Sequence, residues 1–127
     1  MKGFAVNSAD VDRFENLAGQ LLGLYEEMSL LSKKNPNDAV NKFKLKFINR
    51  QLTESNALLA NKYRPYDDFE VFSEDDVPQN SDVVFIQSQY LQCMEKLRGD
   101  HVVLRSGTWC WHVREEKATK LTNRGTH

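Results

Sequence analysis

The stretch Tyr63 to Asp82, YRPYDDFEVFSEDDVPQNSD, decides how the chain is laid out. It holds seven of the eighteen acidic residues (Asp67, Asp68, Glu70, Glu74, Asp75, Asp76 and Asp82) and two of the three prolines, with aromatics at Tyr63, Tyr66, Phe69 and Phe72. Pro65 disfavours helical geometry at Arg64, so a helix arriving from upstream stops there. The patterns on both sides are helical and need partner surfaces to bury, which makes residues 64–80 an acidic, aromatic connector between two helices.

Upstream, helix 2 is expected over about residues 36–63, with Asn35 as N-cap, Pro36 at N1 and Asp38 at N3. Its apolar residues fall in two clusters on the helical wheel. Val40, Phe43, Phe47 and Leu58 form one, and Leu45, Ile48, Leu52, Leu59 and Tyr63 the other, so helix 2 is expected to be shared between helix 1 and a third helix. Helix 1 is expected over about 7–34. Asn7 and Asp10 resemble a capping box, and Val6 can staple against Val11. Val11, Phe14, Ala18, Leu21, Tyr25 and Met28 make a seam that Leu17, Leu24 and Leu31 widen. Gly19 and Gly23 either admit a close neighbouring helix or lie on an uncrowded flank. Lys33 and Lys34 complement the C-terminal dipole, and the very short link that follows makes helices 1 and 2 antiparallel.

Downstream, helix 3 is expected over about 81–98, capped by Asn80 or Ser81 and closed by Gly99. Val83, Ile86, Tyr90, Cys93, Met94 and Leu97 share one face, with Val84 and Leu91 beside it. Phe85 falls opposite, either covered by the connector or exposed for a partner. In residues 100–114, HVVLR and TWCWHV flank Ser106 and Gly107, which reads as a hairpin or an irregular segment. The hairpin sets Leu104 against Trp109 and Val102 against Trp111. A helix beginning near Thr108 is the competing reading, and residues 118–127 are expected to be a mobile tail. The expected fold is therefore mainly α: a three-helix bundle of two long antiparallel helices and a shorter third, with a small C-terminal β-hairpin or irregular segment. One domain spans 1–127.

Composition narrows the function. A formal net charge of -1 argues against a generally basic nucleic-acid binder and against a polyanion mimic, so any electrostatic role is local. Two cysteines, no apolar leader and no run of about 18 apolar residues fit a cytoplasmic-type, reducing compartment without a membrane span. Phosphate-binding glycine loops, HExxH, GxSxG and dinucleotide fingerprints are absent from the sequence, so no enzyme activity and no cofactor are expected, and no motif ties the chain to a family.

The leading expectation is a non-enzymatic protein–protein interaction module, an adaptor, regulatory or inhibitor subunit of a larger assembly. Aromatic anchors with a charged rim are the anatomy of a binding patch, which nominates Tyr66, Phe69, Phe72, Asp75 and Asp76, together with Phe85, Trp109 and Trp111. The plainer alternative is that the connector aromatics cap one end of the bundle. Self-association is a further expectation, because long helices can present more apolar arc than three of them cover. The alternative function is a small nucleic-acid-binding regulator. Lys42, Lys46 and Arg50, spaced by four with Asn49 and Thr53 nearby, form a basic polar stripe that can track phosphates. A third reading is metal binding, through the connector carboxylates or through Cys93, His101, Cys110 and His112, with His101 opposite His112 in the hairpin. Neither set has an established ligand spacing, so no metal is assigned.

Overall fold

The computed structural model describes residues 7–105, 107–113 and 118–121. The chain runs α1 (Ser8–Lys34), α2 (Lys42–Tyr63), α3 (Asn80–His101), β1 (Val102–Arg105), β2 (Thr108–Val113) and β3 (Ala118–Leu121). The three helices pack on one another as a bundle, with a small sheet at the C-terminal end. No described helix is long and apolar enough to cross a membrane.

α1 begins as its capping residues dictate: Asp10 N–H donates to Asn7 Oδ1 at 2.9 Å, and Asn7 Nδ2 returns a bond to Asp10 Oδ2 at 3.0 Å. The Val6 staple lies outside the described residues. Val11, Phe14, Leu17, Ala18, Leu21 and Met28 form the buried face, and Lys33 and Lys34 occupy the last turn. Gly19 and Gly23 are exposed, and a methyl group built at either meets nothing within 4 Å, so they lie on an uncrowded flank and admit no close neighbour.

α2 differs from the sequence reading at its start. Asn35 caps the end of α1 and not the start of α2, which begins at Lys42 with Asn41 as its cap. Residues 36–40 are locally suited to a helix, but their backbone is engaged elsewhere. Val40 N–H donates to Pro78 O, Asn80 N–H to Asp38 O, Ser81 N–H to Pro36 O, and Ala39 bridges Gln79. Tertiary pairing has overridden local propensity. As expected, α2 is shared between α1 and α3, but not every residue of its two apolar clusters is covered. Leu45, Ile48, Leu52, Leu58, Leu59 and Tyr63 are buried, whereas Phe43 and Phe47 are 69% and 39% exposed. Near its end, α2 departs from helical geometry at Ala60, whose φ of 52° and ψ of -168° suit glycine better than alanine.

α3 buries Val83, Ile86, Tyr90, Met94 and Leu97 as the periodicity requires. Its cap is Gln79, one residue before the expected pair, with Gln79 N–H donating to Asp82 Oδ2 at 3.0 Å. Gly99 does not close it, since the helix runs on to His101 and passes directly into β1. Contacts between side chains fix the helix directions. Glu27 pairs with Lys44, and Glu15 with Arg98, so α1 is antiparallel to both α2 and α3. Tyr90 bonds Asn56 and Asp100 bonds Tyr63, so α2 and α3 run parallel. The connector must therefore retrace the length of the bundle.

The sheet is antiparallel, in the order β1-β2-β3. Its first register is the expected one, Val102 opposite Trp111 and Leu104 opposite Trp109, turned at Gly107 with φ of +80°. Residues 108–113 are a strand, so no helix begins at Thr108. Residues 118–121, expected to be mobile, form β3 and pair with β2, because a third strand satisfies the outer edge of a hairpin that is marginal alone. Residues 122–127 lie outside the described residues. Trp111 anchors the sheet to the bundle. It is fully buried, meets the Phe14 ring edge-on at 5.1 Å, and donates from Nε1 to Glu15 Oε2 at 2.9 Å. The other oxygen of Glu15 accepts from Arg98 at 2.7 Å, and the Arg98 guanidinium lies 5.2 Å from the Phe14 ring centroid. A buried ion pair thus joins α1, α3 and β2.

Candidate functional site

The acidic connector is a strap laid along α2 and not a bend at one end of the bundle. Arg64 opens it, its guanidinium donating to Phe69 O at 2.9 Å and to Glu70 Oε1 at 3.1 Å. Asn56 Nδ2 then donates to Glu70 O at 2.9 Å, while its Oδ1 accepts from the Tyr90 hydroxyl. Two turns earlier on α2, Asn49 makes a reciprocal pair with Phe72: Nδ2 donates to Phe72 O at 2.9 Å, and Phe72 N–H donates to Asn49 Oδ1 at 3.0 Å. Ser73 Oγ accepts from the N–H groups of Asp75 and Asp76, and pairing with residues 36–40 closes the far end. An asparagine amide mimics a backbone peptide, so each one gives the strap a fixed partner where no strand is available.

This fastening sorts the strap's side chains. Tyr66, Phe69 and Phe72 are half-buried against the core, with Phe69 and Phe72 edge-on at 5.1 Å. Phe72 lies along α2, where Asn49 holds its backbone, and not at an end of the bundle. Asp67, Asp68, Glu70, Glu74, Asp75 and Asp76 are all exposed, and Val71 is 39% exposed among them. Among the described residues only Glu70 of these carboxylates is ion-paired, with Arg64.

The remaining candidates separate. Phe85 is 54% exposed on α3, so the strap does not cover it. Trp111 belongs to the core and offers no surface, and the side chain of Trp109 lies outside the described residues. Lys42, Lys46 and Arg50 are exposed on α2, joined by Phe43 and Phe47, whose rings meet edge-on at 5.1 Å with Arg50 over Phe47 at 5.0 Å. Asn49 is not part of that stripe, because it is turned inward to hold Phe72. His101 is the last residue of α3, near the Tyr63 ring, and the β1–β2 ladder begins one residue later at Val102 opposite Trp111, so His101 is not a strand partner of His112. No group of three or more His, Cys, Asp or Glu among the described residues could hold a metal ion.

Burial shifts several groups near this surface. The Tyr63 hydroxyl is pushed up to about 12, first by desolvation and then by donating to the Asp100 carboxylate at 2.7 Å. Desolvation also raises Tyr90 and the Cys93 thiol, which leaves Cys93 a poor nucleophile.

No family model, curated protein or solved structure matches this chain. Function is therefore read from the surface itself. Sequence reading put Asn49 on the basic stripe and missed Asn56 altogether. A signal for them exists, since both fall on one side of α2 at a spacing of seven, and asparagine is unfavourable inside a helix unless its amide has work there.

Proposed function

We propose that this chain is a non-enzymatic interaction module, an adaptor, regulatory or inhibitor subunit that presents the strap to another protein. The observation that supports it is the pinning of the strap backbone by Asn49 and Asn56, which leaves its carboxylates and Val71 on a fixed ridge. A pre-ordered ridge loses little conformational entropy on binding, and concentrated negative charge steers a basic partner. Cys93 and Cys110 form no disulfide, which fits a reducing, cytoplasmic compartment. The test is co-purification and cross-linking with the quadruple variant Val71→Ser, Glu74→Gln, Asp75→Asn, Asp76→Asn. It should keep its helical circular dichroism and lose the partner, and partner recovery equal to wild type refutes the reading.

A nucleic-acid reading has one observation in its favour. Lys42, Lys46 and Arg50 are exposed beside two exposed phenylalanines that could stack on bases. Against it, the strap's carboxylates run alongside that stripe and repel phosphates.

A further inference from the structure

We infer that the outer face of α2 docks a second copy of this chain, so that the strap of each protomer lies on the basic, phenylalanine-bearing face of the other. The inference rests on the reading of the strap as a binding ridge and names its partner.

Phe43 and Phe47 are the starting point, two large rings on successive turns with an exposed apolar surface and no covering element among the described residues. Beside them a groove of about 510 Å³ runs between α1 and α2, with Gly23 and Leu24 on its α1 side and the Glu27–Lys44 ion pair within its lining. On their other flank lie Lys42, Lys46 and Arg50. The strap comes next, because Asn49, which holds it, is one turn from Lys46 and two turns from Lys42 on the helix. One side of the molecule thus carries an aromatic strip, a positive strip and a negative strip in that order.

Charge complementarity selects the occupant. A foreign polyanion that suits the positive strip meets carboxylates next to it, and a foreign polycation meets the reverse. A second copy suits both. A two-fold interface uses the same patch on both subunits, so the patch must complement itself. An axis parallel to α2, along the boundary between the charged strips, sets each positive strip on the partner's negative one. A net charge of -1 leaves little long-range repulsion between copies. α2 is about 33 Å long and a helix is about 10 Å across. With the strap alongside, the face approaches the roughly 800 Å² per partner that stable interfaces bury.

The test uses the full chain in sedimentation equilibrium over a concentration and salt series. Wild type should dimerise, with affinity falling as salt rises. A stripe variant (Lys42→Glu, Lys46→Glu, Arg50→Glu) and a strap variant (Glu74→Lys, Asp75→Lys, Asp76→Lys) should each weaken self-association by more than about a hundredfold, because like charges now face each other. An equimolar mixture of the two should recover a heterodimer, which unfolded chains would not form. Phe43→Ser, at the most exposed of the two rings, gives an uncharged control that should also weaken the dimer. A monomeric wild type, a dimer indifferent to all three variants, or a mixture that stays monomeric overturns the inference. If wild type is monomeric while the quadruple strap variant still loses a different partner, this inference fails and the strap's binding role stands.

Discussion

Asn49→Ala tests the strap most directly, because that one side chain supplies both hydrogen bonds at Phe72. Each bond contributes about 1 kcal/mol net, and leaving part-buried peptide groups unpaired adds to the loss, so the expected cost is about 2 to 4 kcal/mol. That is a large share of the roughly 5–15 kcal/mol that holds a domain folded. The strap has other fastenings, at Arg64, at Asn56 and at residues 36–40, so much of the loss should appear as local opening. Native-state hydrogen exchange should show the Phe72 amide losing protection by far more than amides of α1 and α3. Asn49→Asp sharpens the test. When protonated, the introduced carboxyl can donate to Phe72 O and accept from Phe72 N–H; when ionised, it faces the carbonyl oxygen. Its folded pKa is therefore raised, so the stability it contributes is full below the unfolded value of about 4 and is lost as pH rises through the folded one. Measured against wild type at each pH by urea unfolding, the variant should be least destabilised near pH 4 and most near pH 7. Unchanged Phe72 exchange in Asn49→Ala, or a pH-independent deficit in Asn49→Asp, refutes the strap geometry.

Three further outcomes follow from the same structure. Tyr63 has its pKa raised to about 12, so the stability it contributes is complete below about pH 10 and is lost as pH climbs through the folded value; Tyr63→Phe should remove this alkaline loss in pH-dependent urea unfolding. Glu15→Gln keeps an acceptor for Trp111 but leaves the Arg98 charge, 1% exposed, with rim-exposed Glu95 as its remaining ion-pair partner among the described residues; denaturant unfolding should show a cost of about 3 to 5 kcal/mol, and a cost under about 1 kcal/mol would contradict the buried pair. Ala60→Gly should be neutral or stabilising in thermal unfolding, since its positive φ suits glycine, whereas an ordinary helix interior would lose about 1 kcal/mol.

Much of the fold was legible because local signals and tertiary outcome agree. Asn7 and Asp10 place the start of α1, period 3.6 finds the buried faces of α1 and α3, and strand alternation around Gly107 fixes Val102 opposite Trp111. The start of α2 was not legible, because Pro36 and Asp38 carry good helix-start chemistry and only the strap's return explains why they pair with residues 78–81. Phe43 and Phe47 were read as core because the wheel records hydrophobicity and not the presence of a neighbour. The site was legible in composition but not in form. Acids and aromatics alternate in the connector, yet whether they make a bend or a strap depends on Asn49 and Asn56, more than a dozen residues away in sequence.

The parallel course of α2 and α3 gives the molecule electrical poles. Two N-termini lie at one end, each equivalent to about half a positive charge, and their C-termini lie at the other; the antiparallel α1 offsets one of the two. Asp38 and Asp82 sit at the positive pole, Asp75 and Asp76 lie on the last lap of the strap toward it, and the closing lysines of α1 share the same end. These carboxylates therefore balance aligned peptide dipoles as well as facing outward, and a partner that neutralises them must replace that counter-field with its own.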